Sequence, residues 1–229
     1  MTLWQKQNEK ILRVEAPYPY AVSSTPRQVD MDTPLFDYWM RQLKTQPAYH
    51  RKQWEDYVIL QMLWQSGCLK KGKRGLGFGV GKESLPAYFA SCGCDVVATD
   101  QDAVSAGDWL KTNQHSGGDI GVFNTGGLCD AALFSQRVKY RVVDMNNVPE
   151  DLRDFDFTWS ACSMDHVGSI RKGMDFFLRS LRCLRPGGIA AHTTEYNRDS
   201  AKQCPSSGAT SWWKKQDAKD LMNEVQRLG

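Results

Sequence analysis

The chain has 229 residues, enough to bury one sizeable core and still carry an N-terminal appendage. Its 29 Lys and Arg stand against 26 Asp and Glu, and a net charge of +3 gives no bulk polyanion-binding character. Seven cysteines without metal-ligand spacing, with Cys92-Gly93-Cys94 reading C-x-C, point to reduced thiols in a cytoplasmic protein and away from a zinc module or disulfide scaffold.

Met1 to Gln7 is polar and lacks an apolar signal region. No apolar run approaches the roughly 18 residues that a membrane helix needs. Pro17, Pro19, Pro26 and Pro34 punctuate residues 1–46 and Pro47 follows directly, which predicts an irregular extension with one short helical piece near Leu35 to Leu43. From Tyr49, the spacing of Trp54, Tyr57, Val58 and Met62 predicts a helix that Gly67 caps. Arg51, Lys52, Trp54 and Glu55 on it either contact a ligand or form the solvated face of a packed helix. Lys70-Lys71-Gly72-Lys73-Arg74 is a basic cluster that reads as a solvated loop leading into a strand, with phosphate contact as the alternative.

The chain is most informative at Gly75-Leu76-Gly77-Phe78-Gly79-Val80-Gly81-Lys82-Glu83, with Asp100 following Gly81 by nineteen residues at the end of Asp95-Val96-Val97-Ala98-Thr99-Asp100. A strand, a glycine turn, a helix and a second strand ending in an acid would produce that layout. Glycines let such a turn reverse sharply and let a ligand approach the backbone, and the acid is placed to accept from a ribose diol. The spacing excludes the dinucleotide fingerprint, because three residues past Gly79 stands Lys82 and three past Gly81 stands Ser84. No G-K-[ST] phosphate loop is present either.

Gln101 to Gln136 carries glycine pairs at 117–118 and 126–127 and one predicted helix, Ala103 to Thr112; it is the least legible interval. Val138 to Met145 and Phe155 to Cys162 read as the third and fourth strands, the latter running into Ser163-Met164-Asp165-His166. Ile170, Met174, Phe177, Leu178, Leu181 and Leu184 share one face of a helix that Pro186-Gly187-Gly188 stops, and Ile189 to Tyr196 is the fifth strand. After Trp212-Trp213, the residues Ala218, Leu221, Met222, Val225 and Leu228 mark a terminal amphipathic helix. Strands alternating with helices imply an α/β fold, a Rossmann-like, doubly wound, mostly parallel sheet.

In that order the motifs from about residue 50 to 229, including Leu184-Arg185-Pro186-Gly187-Gly188 before the last strand, resemble the class I S-adenosylmethionine (SAM)-dependent methyltransferases. The resemblance implies a domain over residues 47–229 that takes SAM as cofactor. Gly77, Gly79 and Gly81 would then line its methionine part and Asp100 its ribose, with Gln101 beside it. Asp144 and the Met145 amide would read the adenine edge, and Cys162 would close the site at the fourth strand. An ordinary strand-end cap is the alternative for each aspartate. The family usually has an acid where this chain has Gly75, and Glu83 either compensates or is a helix-terminal charge. For chemistry, His166 is the candidate general base, Asp165 its orienting acid, and Glu195 an acceptor-binding group with Tyr196 and Asn197 beyond it. His192, inside the fifth strand, reads as structural, and no metal site is expected.

The family pattern continues into an antiparallel β6–β7 hairpin for which no sequence remains. A five-strand sheet is therefore expected: either the chain is a truncated one, or a partner or a second copy completes the strand-five edge. Methyl transfer to a small-molecule or saccharide acceptor is the leading expectation. A SAM-binding or interaction protein without catalysis is the alternative, and nucleic-acid methylation is a more remote one.

Overall fold

The computed structural model describes residues 24–199 and 204–227. Pro17, Pro19, the polar start and Leu228 lie outside these residues. The chain forms two compact units that divide between Gly67 and Cys68.

Among the described residues of the first unit three helices follow one another: α1 (Gln28–Met31), α2 (Pro34–Gln42) and α3 (Arg51–Gln65). Thr33 starts α2 by accepting the Phe36 N–H at 3.1 Å, and Pro34 occupies the first turn, where its missing N–H costs nothing. Helices α2 and α3 are tied by the Trp39 Nε1–H bond to Gln61 Oε1 at 2.8 Å and by edge-to-face packing of Phe36 on Tyr57. Both helices therefore belong to one unit that ends at Gly67, whose φ of 68° suits a helix-terminating glycine. Burial, with Glu55 adding to it, raises the Asp56 carboxyl to about 7.

The second unit is built on β1 (Arg74–Phe78), β2 (Asp95–Asp100), β3 (Val138–Val142), β4 (Phe155–Ala161) and β5 (Leu184–Thr193). Its helices are α4 (Leu85–Ser91), α5 (Gly107–Lys111), α6 (Ala131–Arg137), α7 (Ile170–Arg182) and α8 (Lys215–Gln226), with a 3-10 turn at Ile120–Asn124. All pairs are parallel and the strand order is β3-β2-β1-β4-β5, so the order reverses between β1 and β4. Among the described residues the sheet has these five strands.

Register explains the two glycines inside β1. Gly75 lies opposite Phe157 and Gly77 opposite Trp159. A side-chain carbon at either position would meet the facing ring at 2.3 Å. Phe89 of α4 packs edge-on against both rings, closing that layer. Leu76 and Phe78 belong to a second cluster with Met174 and Phe176 of α7, Trp213 and Leu221.

Five details differ from the sequence reading. Strand β3 stops at Val142 and not at Met145, because Asp144 turns the chain: its Oδ1 accepts the Asn146 N–H at 2.8 Å. Helix α7 ends at Arg182, and Leu184 already pairs with Phe155 in β5. The stretch Arg185–Gly188 is a bulge within β5, since Phe155 and Phe157 face Leu184 and Ile189. The buried face of α7 also includes Gly173, Phe176 and Ser180: the Trp213 ring takes the space beside Gly173, and Ser180 bonds His192. Lastly, α5 begins at Gly107, because Asp102 Oδ1 holds a turn through the N–H groups of Val104 and Ser105.

At the amino-terminal end of the sheet, Asp156 gathers the basic cluster. Its Oδ1 pairs with Lys73 at 2.7 Å and Arg185 at 2.5 Å, and its Oδ2 accepts the Arg74 N–H at 2.8 Å. Burial alone would raise this carboxyl, but the Lys73 and Arg74 hydrogen bonds and the two cations outweigh it and hold it below the ordinary range.

Candidate functional site

Ligands of open parallel sheets bind beyond the carboxyl ends of the strands where strand order reverses. Here that place is the turn leaving β1. Gly79 and Gly81 both adopt left-handed φ, 59° and 54°. Val80 N–H donates to the Thr99 carbonyl at 3.1 Å, and Thr99 Oγ1 donates to the Gly77 carbonyl at 2.7 Å, which fixes the turn to the end of β2.

Asp100 faces this turn. Its Oδ2 accepts the Gly81 N–H and its Oδ1 the Gln101 N–H, both at 2.8 Å. Burial raises its pKa, while those two N–H groups and nearby His115 act the other way. A carboxylate offers about four acceptor positions. The two backbone bonds occupy two of them. His115, buried, accepts the Gly117 N–H at Nδ1 (3.0 Å), so Nε2 carries the proton. Nε2 donates to the Gln101 carbonyl at 3.0 Å and stands 3.6 Å from Asp100 Oδ1. His115 lies in the glycine-rich interval that offers no periodicity, so sequence reasoning missed it.

The remaining predicted cofactor residues are spread around the turn. Gly77 lies inside β1, its open face filled by the Trp159 ring. Trp159 Nε1–H donates to Glu83 Oε1 at 2.6 Å, so Glu83 is tied to a buried ring of β4. Asp144 is exposed and closes its own turn, whereas Met145 reaches inward, with Sδ 3.5 Å from where a Gly79 side chain would start. Cys162, at the tip of β4, has a φ of 49°, uncommon for a residue with a side chain. Its N–H donates to Thr193 Oγ1 at 3.0 Å and the Thr193 carbonyl at 3.2 Å. Ser163 follows, its Oγ–H donating to the Gly79 carbonyl at 2.9 Å.

Asp165 and His166 form a pair beyond β4. Asp165 is fully buried, and its Oδ2 lies 3.2 Å from His166 Nε2. Its Oδ1 accepts from Thr194 Oγ1 at 3.4 Å, and its carbonyl accepts the Ser211 N–H at 2.8 Å. His166 Nδ1 lies 2.9 Å from the Ala209 carbonyl and 3.3 Å from Thr210 Oγ1. The Trp109 ring stands edge-on to the imidazole at 4.6 Å. Glu195, just past β5, is partly buried, and its carbonyl accepts the Trp213 N–H at 3.0 Å. Asn197 N–H returns a bond to the Trp213 carbonyl at 2.8 Å. Trp213 is therefore core and backbone partner, while Trp212 beside it is 46% exposed.

His192 lies between Ser160 Oγ (2.8 Å from Nδ1) and Ser180 Oγ (3.0 Å from Nε2), and burial lowers its pKa to about 3. Among the described residues no group of three His, Cys, Asp or Glu is arranged to hold a metal ion. No described helix is long and apolar enough to cross a membrane.

This sheet order, with a glycine turn after β1 facing an acid at the end of β2, is the fold of the class I SAM-dependent methyltransferases. A candidate sarcosine dimethylglycine methyltransferase from Galdieria sulphuraria superposes with a TM-score of 0.50 at 16% identity, covering 96% of this chain and 71% of that one. A candidate methyltransferase from Bacillus halodurans gives 0.49 at 20% identity, covering 72% and 67%. The glycopeptide N-methyltransferase MtfA gives 0.45 at 14% identity over 64% of this chain, which spans 56% of that protein's length. No protein-family model matches the sequence, and no curated protein matches it significantly. At these identities the likeness is one of fold.

Proposed function

We propose that the protein binds SAM at the turn between β1 and β2 and transfers its methyl group to a small-molecule or saccharide acceptor. The observation that carries this reading is the Asp100 carboxylate held on the Gly81 N–H at 2.8 Å, with acceptor capacity left for a diol. Bound SAM supplies a methyl group on a sulfonium leaving group. The protein's task is then to hold the acceptor in line and to keep water out. Asp100 anchors the ribose, Gly79 and Gly81 give the methionine part access to backbone, and Met145 with the Asp144 turn flanks the adenine. Gln101 and Cys162 complete the walls, and Glu83 holds Trp159 beneath the turn. At the acceptor end, Asp165 holds His166 at rest through Nε2, and Glu195 offers a carboxylate beyond β5.

In this reading His166 takes the acceptor's proton at Nε2 once the ring turns from Asp165 Oδ2, which it faces at 3.2 Å. That same closed pairing favours a second reading, a SAM-binding protein without turnover, whose partner or second copy covers the β5 edge. Transfer of labelled methyl from SAM to a panel of amines, hydroxy compounds and oligosaccharides tests the choice. Label on an acceptor, strongly reduced in His166→Gln, supports the enzyme, while SAM bound with no label moved on any acceptor supports the second reading.

A further inference from the structure

The glycine turn is covered by the chain's own backbone. A carbon placed on Gly81 would meet the Gln114 carbonyl oxygen at 2.6 Å. That carbonyl belongs to a piece, residues 107–118, which is attached to the turn and the strand tips by side chains, Ser116 on Tyr140 of β3 among them. Lys82 Nζ is hydrogen-bonded to Asn113 Oδ1. His115 Nε2 donates to the Gln101 carbonyl at 3.0 Å beside Asp100. The Trp109 ring lies against His166. The piece is internally coherent, since Gln114 N–H donates to the Trp109 carbonyl at 2.8 Å and Asn113 N–H to that of Leu110 at 3.1 Å. Its ends are different: Gly107 and Gly118 have open space where a side chain would be, and Gly117 and Gly118 have φ of 65° and 89°.

We infer that residues 107–118 form a latched lid over the glycine turn, pivoting at Gly107 and at Gly117–Gly118, which must swing out before a nucleoside ligand can reach Asp100. A compact body held by a few polar and ring contacts and bounded by glycines moves as a unit. A ligand that needs the open form binds with an apparent affinity reduced by the closed fraction, and loosening the latch removes that reduction. The lid rests on the SAM reading only for the identity of the ligand beneath it.

The test uses the full chain, Lys82→Ala and Trp109→Ala. Amide hydrogen exchange on the free proteins decides the lid by itself. Exchange across 107–118 quickens in both variants while the strands stay protected; equal exchange in all three proteins means a fixed wall and overturns the lid. S-adenosylhomocysteine is then mixed with each protein in stopped flow. Association quickens about fivefold in Lys82→Ala, the factor one hydrogen bond of ordinary net strength sets. Equal association rates in all three overturn the gating. Absence of binding in all three sinks the SAM reading, with the exchange result still deciding the lid.

Discussion

The indole of Trp159 lies where a side chain at Gly77 would have to stand, with ring atoms 2.3 Å from that position. The same ring donates its N–H to Glu83, so one residue of β4 fills the gap in β1 and fixes the exit of the glycine turn. Gly77→Ala forces this buried ring to move. It is expected to destabilise the protein by about 1–3 kcal/mol, the range for overpacking a well-filled core. Urea unfolding of the variant measures it. A midpoint equal to wild type means that the Trp159 ring is free to shift.

His192 ties pH to stability. Its folded pKa of about 3 lies below the ordinary 6.5, because burial favours the neutral ring. As pH falls below the ordinary value, the unfolded chain takes the proton first, so the stability present at neutral pH declines toward the folded pKa. Between pH 7 and pH 5 this amounts to at most about 2 kcal/mol. His192→Asn is less stable at pH 7, having lost the Ser160 and Ser180 contacts, but it shows a smaller decline over that interval. Identical slopes in the two proteins, from urea midpoints at both pH values, count against a neutral imidazole held between Ser160 and Ser180.

Asp156 works in the same sense, at lower pH. Its folded pKa is depressed below 3.8, so its contribution is present above the ordinary carboxylate range and is lost as pH falls through the folded value. Asp156→Asn leaves Lys73 and Arg185 without their shared carboxylate and destabilises the protein at pH 7. The gap between variant and wild type narrows as acid protonates Asp156 in the wild type. A gap independent of pH points to lost packing in place of lost charge.

The five strands were legible because apolar β-branched runs alternate with helical spacing, and the acid at position 100 follows the glycine turn at a telling distance. The face of α7 was less so. Periodicity selected Leu181 and Leu184, but Gly173 and Ser180 are buried for reasons that periodicity does not carry: a tryptophan from forty residues downstream packs on one, and a histidine bonds the other. The tip of β3 was overrun because Val143 still donates to the Asp100 carbonyl at 2.8 Å before Asp144 turns away. His115 and Trp109 were invisible, since a short helix inside a glycine-rich loop has no repeat to read, and only folding brings them to Asp100 and His166. Gly75, a departure from the family pattern in sequence, has a steric cause in the Phe157 ring.

The central claim is that Asp100 and the glycine turn hold the ribose of SAM, and calorimetric titration with SAM and S-adenosylhomocysteine tests it most directly, with Asp100→Asn alongside. The account predicts binding of both ligands by the wild-type chain and, in the variant, a loss of about 1.5–3 kcal/mol, the weight of hydrogen bonds to a charged group. Wild-type and variant chains that bind equally, or a wild-type chain that binds neither ligand, would contradict it.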